Sequence, residues 1–425
     1  MGKYKVGVVG AVRGMHVAVY FKHFDCDLVA LFDVDKERAN GQAKNLSDGA
    51  VIYDTFEEFI EHDMDIVIIA NDFHEHTPYA IECFKRGLHV YSECISNSTM
   101  AEGVQLIRAF EKYGKEKGVI YMLAENYMHL LHNHEIKRIC DGGSLGKILY
   151  AEGEYNHAFD PNDLKFVKRL TFNPHHWRNF LPRTYYLSHS LGPIMWATGA
   201  TPKKVSAFSV FNPEQAKYLP MSYVGDALGV ITTQNDDGSV YRFFGWSCIG
   251  GESYTTRICG TKGQIENGRS MKDMSKIYLH YNPWDKPENV CAPDSEYIPE
   301  WNDPDEAKIK SAGHWGGDYL TPRMFMECIK YGKQPEHPFD IYSAINMSSV
   351  AILAHRSVLN GGNAYDIPDF HKEEERVKYE NDHQSPFYYS DGRTPNIPCC
   401  SHPDYKPDEE NFSAFLETIG YKSEK

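Results

Sequence analysis

The feature that most constrains this chain is a series of short apolar segments alternating with helical patterns over its first 125 residues. Residues 5–9 (KVGVV), 28–32 (LVALF), 66–70 (IVIIA) and 119–123 (VIYML) are apolar at nearly every position, and 88–91 (LHVY) is a shorter example. A strand apolar on both sides must be covered on both faces, as in a parallel sheet. Helical patterns at 36–46, 55–62, 75–86 and 100–117 separate these runs, and another extends from His16 to about His23. Thr55-x-x-Glu58 and Thr99-x-x-Glu102 read as capping boxes. The alternation implies right-handed βαβ units. The expected fold class is therefore α/β, with an N-terminal Rossmann doubly wound parallel sheet over residues 1–125.

From about residue 147 the pattern changes to longer, alternating segments: KILYAEGEYN, KKVSAFSVF, ALGVITTQ, SVYRFFGWSC and TTRICGT. Alternation predicts a large open, mainly antiparallel sheet with one face covered. Helices at about 318–331 and 340–359 are expected to cover it or return to the first domain. This gives an α+β domain over 126–370 and a C-terminal extension over 371–425. The extension is rich in Asp, Glu, Pro, Tyr and His. It reads either as an arm over a neighbouring subunit or substrate pocket, or as a flexible tail.

Composition narrows the partners. The 44 Lys+Arg against 59 Asp+Glu leave a net charge of −15, which argues against nucleic acid or an anionic membrane. No segment reaches the roughly 20 apolar residues of a membrane span, and no secretory leader is evident. A cytoplasmic location is expected. The ten cysteines are scattered, without a Cys-x-x-Cys pair, and read as reduced thiols. Cys399, Cys400 and His402 lack a second ligand cluster nearby, so no metal is expected.

The loop after the first strand carries the first chemical signal. Gly7, Gly10 and Gly14 are present, while Val12 stands in the place of the second glycine of a dinucleotide fingerprint. Asp33 closes the second strand 23 residues after Gly10, where a carboxylate accepts ribose hydroxyls and repels a 2′-phosphate. NAD is the expected cofactor, held by Gly10, Val12, Arg13, Gly14 and Asp33. Strand ends are where open α/β sheets bind ligands, which adds Glu93 and the pair Glu125 and Asn126.

ALFDVDKERA, MDIVIIANDFHEHTPYAIECFKRGLHVYSECIS, GSLGKILYAEGEY and DIYSAINMSSVAILAHRSVLNGG together resemble the Gfo/Idh/MocA family of NAD(P)-dependent sugar and inositol oxidoreductases over about residues 4–370. The family's Ala-Thr-Pro-Asn-x-x-His segment corresponds to Ala70–His76, which implies cofactor contacts for Asn71, His74 and His76; Phe73 replaces the family's Asn. The family's Glu-Lys-Pro corresponds to Glu93-Cys94-Ile95, so its proton-transferring lysine is absent. The Tyr186-x-x-His189-x-x-Gly192-Pro193 pattern, with Gly313-His314-Trp315-Gly316-Gly317-Asp318, is similar to a branch containing NAD-dependent glycosidases, including α-N-acetylgalactosaminidases. That resemblance implies catalytic roles for His189 and Tyr186. It also implies a carbohydrate substrate and a homo-oligomer, dimer or tetramer, paired through the open sheet.

The residue types suit such chemistry. A histidine near neutral pKa can take the proton of a sugar hydroxyl while the carbon gives up hydride. Oxidation at C3 acidifies the C2 proton, which a Tyr phenolate can remove. The C1 substituent then leaves, water adds and the hydride returns. Groups spaced i, i+3 on a helical turn face one side, so Tyr186 and His189 can share a substrate. Trp177 and Arg178 suit a sugar face and its hydroxyls. Glu125 and His314 complete the expected substrate contacts, with Asp318 capping the next helix. Two alternatives stay open: a sugar or inositol dehydrogenase that releases NADH, and a non-catalytic NAD- or sugar-binding protein.

Overall fold

Six parallel strands form the first sheet of the computed structural model, which describes residues 2–158, 173–214 and 222–418. They are β1 (Tyr4–Val9), β2 (Cys26–Phe32), β3 (Val51–Tyr53), β4 (Ile66–Ile69), β5 (His89–Ser92) and β6 (Tyr121–Leu123), in the order β3-β2-β1-β4-β5-β6. Val6, Val8, Val9 and all four residues of β4 are completely buried, as two-sided coverage requires. The covering helices are α1 (Arg13–Phe21), α2 (Lys36–Gly41), α3 (Phe56–Phe59), α4 (His76–Arg86) and α5 (Met100–Ala109).

Several boundaries differ from the sequence expectation: α2 ends at Gly41 and α5 at Ala109, both short of their expected ends, and three further differences have a local cause. α1 starts at Arg13 rather than His16, because Val12 stands at its N-cap without a side-chain bond and leaves no capping signal to read. α3 is only four residues long, although Thr55 caps it through the Glu58 N–H as expected. β3 was not anticipated: it is a three-residue edge strand without a fully buried residue. Thr99 and Glu102 do form the reciprocal capping box of α5.

The second sheet has nine strands in the order β14-β13-β12-β11-β7-β10-β9-β8-β15. They are β7 (Ile148–Asn156), β8 (Pro202–Phe211), β9 (Asp226–Asn235), β10 (Val240–Phe244), β11 (Ser253–Gly260), β12 (Gly263–Asn267), β13 (Ile277–Tyr281), β14 (Asp294–Tyr297) and β15 (Tyr365–Asp366). All pairs are antiparallel except β7 with β10. Of the further helices, α6 (Leu131–Asp141) follows the first domain and α7 (Ser188–Thr198) lies across β7 and β11. Contact there is close: a Cβ on Gly153 would come 2.3 Å from the Ser190 carbonyl. After α8 (Glu306–Ser311), α9 (Gly317–Tyr331) returns to pack on α1, and α10 (Ile341–Leu359) packs on both β8 and α5. These last two helices therefore bind the two sheets into one structure. The opposite sheet face carries Glu152 and Glu154 among Arg242, Arg257 and Arg269. No helix of the described residues is long and apolar enough to cross a membrane.

The C-terminal extension is bound to its own chain. Asp382 takes a two-pronged bond from Arg356, Phe387 is fully buried, and Ser401 bonds Asp226. The flexible-tail alternative is thus corrected as far as Ser401, while 419–425 lie outside the described residues.

The core also holds neutral imidazoles. Burial drives His76 and His355 down to about 4 and His132 to about 3. His132 has no hydrogen-bond partner for either ring nitrogen among the described residues. Below about pH 6.5 the unfolded chain takes up protons that these native imidazoles refuse, so stability falls as pH drops toward 4. Each such site costs up to about 1.4 kcal/mol per pH unit. Urea denaturation at pH 7 and pH 5 checks this. The His132→Leu variant is expected to lose about 2 kcal/mol less than wild type across that interval; an identical loss would show that His132 titrates freely.

Candidate active site between the two sheets

The strand order reverses between β1 and β4, and a crevice opens at their carboxyl ends. Gly10 ends β1 at φ +98°, and a Cβ there would come 2.3 Å from the Ala70 carbonyl, so only glycine fits this turn. Gly14 lies against the sheet, where a Cβ would meet Val8 at 2.7 Å. The cleft is open to solvent and is lined by Gly10, Val12, Arg13, Asp33 and Asn71 from the first domain and by Trp177 and Arg178 from the second. The first turn of α1, without a side-chain cap, faces a site suited to an anion. Arg13 Nη1 and Asn71 Oδ1 are buried without a partner among the described residues. Unmet polar atoms on a cleft wall fit a polar occupant such as a dinucleotide.

Asp33 does more than the sequence suggests. Its carboxylate accepts bonds from the Ala11 and Asp35 N–H groups at 2.7 and 2.8 Å, and Arg38 stands 3.2 Å away. The side chain expected to meet ribose hydroxyls therefore also holds the phosphate loop. Arg38 lines the same cleft and was missed; its only sequence trace is a cation three residues after the Asp35 cap of α2.

A buried ion cluster forms the next layer. Arg13 bonds Glu93 through Nε at 2.8 Å and Asp318 through Nη2 at 2.9 Å. Asn126 donates to the same Asp318 oxygen at 3.1 Å. The other oxygen accepts from His314 at 2.7 Å and from His16 at 3.1 Å. Asn126 and His314, predicted as separate contacts, thus converge on one carboxylate, and Glu93 is joined to it through Arg13. Burial alone would raise Asp318, yet His16, His314 and Arg13 together hold it well below the carboxylate range. Asp318 lies in the first turn of α9 but makes no capping bond, which corrects its expected role. A Cβ at Gly313 would come 2.4 Å from Asp318, so glycine leaves room for the carboxylate. His16, His314 and Asp318 are the one metal-spaced group among the described residues.

His189 heads α7, and its Nδ1–H donates to Glu125 Oε1 at 2.7 Å. Glu125 is completely buried; Oε1 also accepts from the Tyr127 N–H at 3.0 Å, and Oε2 accepts from the Cys94 thiol at 3.1 Å. Burial pushes Glu125 up, but the neighbouring His189 and bonds from His189, Ser188 and Cys94 bring it below the ordinary value. The carboxylate selects the Nδ1–H tautomer and leaves Nε2 as the basic nitrogen. Glu125, expected to touch substrate, sits behind His189 instead. Cys94 occupies the position where the resembling family carries lysine.

Aromatic rings enclose this histidine. Tyr127 stacks on it at 4.0 Å, while Tyr155 and Tyr186 meet it edge-on at 4.7 and 5.0 Å. Tyr186 precedes α7 rather than sharing its first turn, yet the two rings still face each other. Tyr155 was missed; its signal is the alternation of β7, which turns it to the covered face. Phe73 stacks on Trp177 at 4.9 Å and on Tyr186 at 5.5 Å, with the Arg178 guanidinium 4.2 Å above Trp177. His74 and His76 do not line the cleft. His74 donates to the Tyr388 carbonyl and His76 to the Ile95 carbonyl, at 2.7 and 2.8 Å. Both rings brace the wall behind Asn71 and Phe73, which corrects their expected cofactor contact.

The chain is similar to known proteins in both of its domains. Residues 4–121 match the family profile "Oxidoreductase family, NAD-binding Rossmann fold" of the Gfo/Idh/MocA group, and 230–376 match "Glycosyl hydrolase 109, C-terminal domain". A glycosyl hydrolase family 109 protein 1 of Bacteroides fragilis (strain YCH46) is 24% identical over 414 residues, covering 86% of this chain and 85% of its own. A glycosyl hydrolase family 109 protein of Streptomyces filamentosus is 24% identical over 336 residues; the match covers 72% of this chain and 63% of that one. Among solved structures, levoglucosan dehydrogenase in complex with NADH and L-sorbose has a TM-score of 0.69 at 16% identity, covering 87% of this chain and 100% of that one. The first domain is thus an NAD-binding Rossmann domain of the Gfo/Idh/MocA type. The chain joins it to a C-terminal domain of the glycosyl hydrolase 109 type.

Removing the charge at the ion cluster tests its weight. Asp318→Ala leaves Arg13, a largely buried cation, without its second carboxylate, and is expected to lower unfolding free energy by about 3 kcal/mol. A loss below about 1 kcal/mol in urea titration would show that Arg13 relaxes into solvent.

Proposed function

We propose that the protein binds NAD in this cleft and oxidises a ring hydroxyl of a pyranose glycoside, at C3, so that the glycosidic bond breaks by elimination. The observation that carries the reading is the buried Glu125–His189 pair beside Tyr186, whose ring is linked through Phe73 to Trp177 on the wall of a cleft suited to a dinucleotide. In this reading the α1 N-terminus, Arg13, Asp33 and Asn71 hold the cofactor. NAD supplies reversible hydride acceptance, so net hydrolysis leaves its redox state unchanged.

The protein's part is proton management and placement. His189 takes the hydroxyl proton on Nε2, and Glu125 stabilises the resulting imidazolium without taking the proton itself. Tyr186 removes the C2 proton as phenolate. Burial pushes its phenol up, against its use as a base, and the Arg178 guanidinium is the neighbour that opposes that shift. The Phe73–Trp177 stack offers the sugar an apolar face. The naming of its relatives as family 109 glycosyl hydrolases supports cleavage over simple dehydrogenation. The same reading has the protein act as a cytoplasmic homo-oligomer joined through the open sheet face.

The test incubates the protein with p-nitrophenyl glycosides and free sugars in heavy water with NAD. Aglycone release with deuterium at C2 is expected. Stoichiometric NADH release without aglycone would instead indicate a sugar dehydrogenase, and NAD binding without either product a non-catalytic protein. His189→Ala is expected to lower kcat by about 10²–10⁴-fold and Glu125→Gln by about 100-fold, with NAD affinity preserved in both.

A further inference from the structure

The segment Phe387–Arg393, beyond residue 376 where the C-terminal family match ends, crosses both halves of the cleft wall. On the first domain it holds the loop after β4. The Tyr388 carbonyl accepts the His74 Nε2–H at 2.7 Å, and the Ser390 N–H donates to Glu75 at 2.5 Å. His74 is driven down to about 4 by burial, so it stays neutral and can satisfy that carbonyl throughout the ordinary pH range. The Tyr389 hydroxyl bonds Ser98 at 2.6 Å, and Arg393 pairs with the buried Glu102 at 3.3 Å.

On the second domain the segment holds the loop that carries Trp177 and Arg178. The Tyr388 ring lies flat on His175, with centroids 3.9 Å apart and planes 7° from parallel, and meets Phe180 edge-on at 5.1 Å. Phe387 is fully buried between His74 at 4.8 Å and Tyr185 at 5.5 Å, beside Tyr186. One residue, Tyr388, therefore touches the first-domain loop through its backbone and the second-domain loop through its ring. Those loops supply Phe73 on one side and Trp177 on the other.

We propose that Phe387–Arg393 is a strap that fixes the Phe73–Trp177–Tyr186 wall, with Tyr388 as its positioning residue. The kinetic part rests on the function proposed above; the structural part stands without it. The Tyr388→Ala variant keeps the carbonyl bond and loses only the ring, so it should free the His175–Phe180 loop without unfolding the domain.

Amide hydrogen exchange on the full chain reads this directly. Relative to wild type, Tyr388→Ala is expected to exchange at least tenfold faster over 173–181, with the nine-stranded sheet unchanged. Tyr388→Phe should retain wild-type protection. NAD affinity should stay within twofold, while KM for a turned-over p-nitrophenyl glycoside rises about tenfold and kcat stays within threefold. Unchanged exchange at 173–181 overturns the proposal, as does a uniform rise across the chain or a fall in kcat with KM unaltered. Should Tyr388→Ala fail to fold, His175→Ala removes the same stack from an exposed residue and must give the same local pattern. Should wild type turn over no glycoside, the functional reading fails while the exchange data still decide the strap.

Discussion

The junction of the two domains depends on one buried anion. Glu125 follows the last strand of the first sheet, and its oxygens receive bonds from Tyr127, Cys94 and His189. An ionised carboxylate with no exposure is costly to desolvate, and it persists only where donors satisfy its lone pairs. Here the donors come from β5's end, the residues after β6 and the head of α7. The same interaction that stabilises the carboxylate therefore aligns three elements and sets the tautomer of the histidine above it.

The Arg13–Asp318 cluster repeats this logic at the other end of the cleft. Asp318 is brought by α9 onto the loop that opens α1, so its carboxylate fixes the only arginine of the phosphate loop. Both anions sit on the seam between the sheets, and neither can be replaced by a surface pair. The half-exposed lattice of Glu152, Arg242 and Arg269 involves more charges, yet its cations remain open to solvent, and solvent-screened pairs contribute at most about 1 kcal/mol each. What orders the site is burial, with each charge held in place by directed bonds.

Legibility in the sequence followed the range of the interaction. Continuous apolar runs disclosed the first sheet because coverage on both faces is recorded locally, residue by residue. β3, β12 and β14 escaped since short, half-covered strands carry little apolar signal: β12 and β14 have one large apolar residue each, Ile265 and Tyr297, and β3 has no fully buried residue. The glycines at 10 and 14, Asp33 and the Tyr186–His189 spacing were likewise local and were readable. What was not readable is which side chain answers which across long separations. His74 and His76 occupy motif positions that suggest a cofactor, but their partners are the carbonyls of Tyr388 and Ile95. Glu125 was singled out from its place after the last strand of the first sheet, while its partner His189 lies 64 positions away. The C-terminal extension gave no sign of its docking because each anchor is a single residue set in irregular chain.

Cys94 shows why a lost residue can carry information. In the resembling oxidoreductases a lysine at this point lies in the proton path. A lysine here would set an ammonium against Glu125 and compete with His189 for that carboxylate. The thiol donates a hydrogen bond to that carboxylate while remaining neutral, since burial and the adjacent Glu125 and Glu93 charges push it well above its ordinary value. Glu125 therefore keeps its full charge to accept the Nδ1–H of His189. In the reaction proposed above, a neutral donor in place of a cation leaves the acid–base step to His189, and the tyrosines packed around that ring are the groups nearest to it.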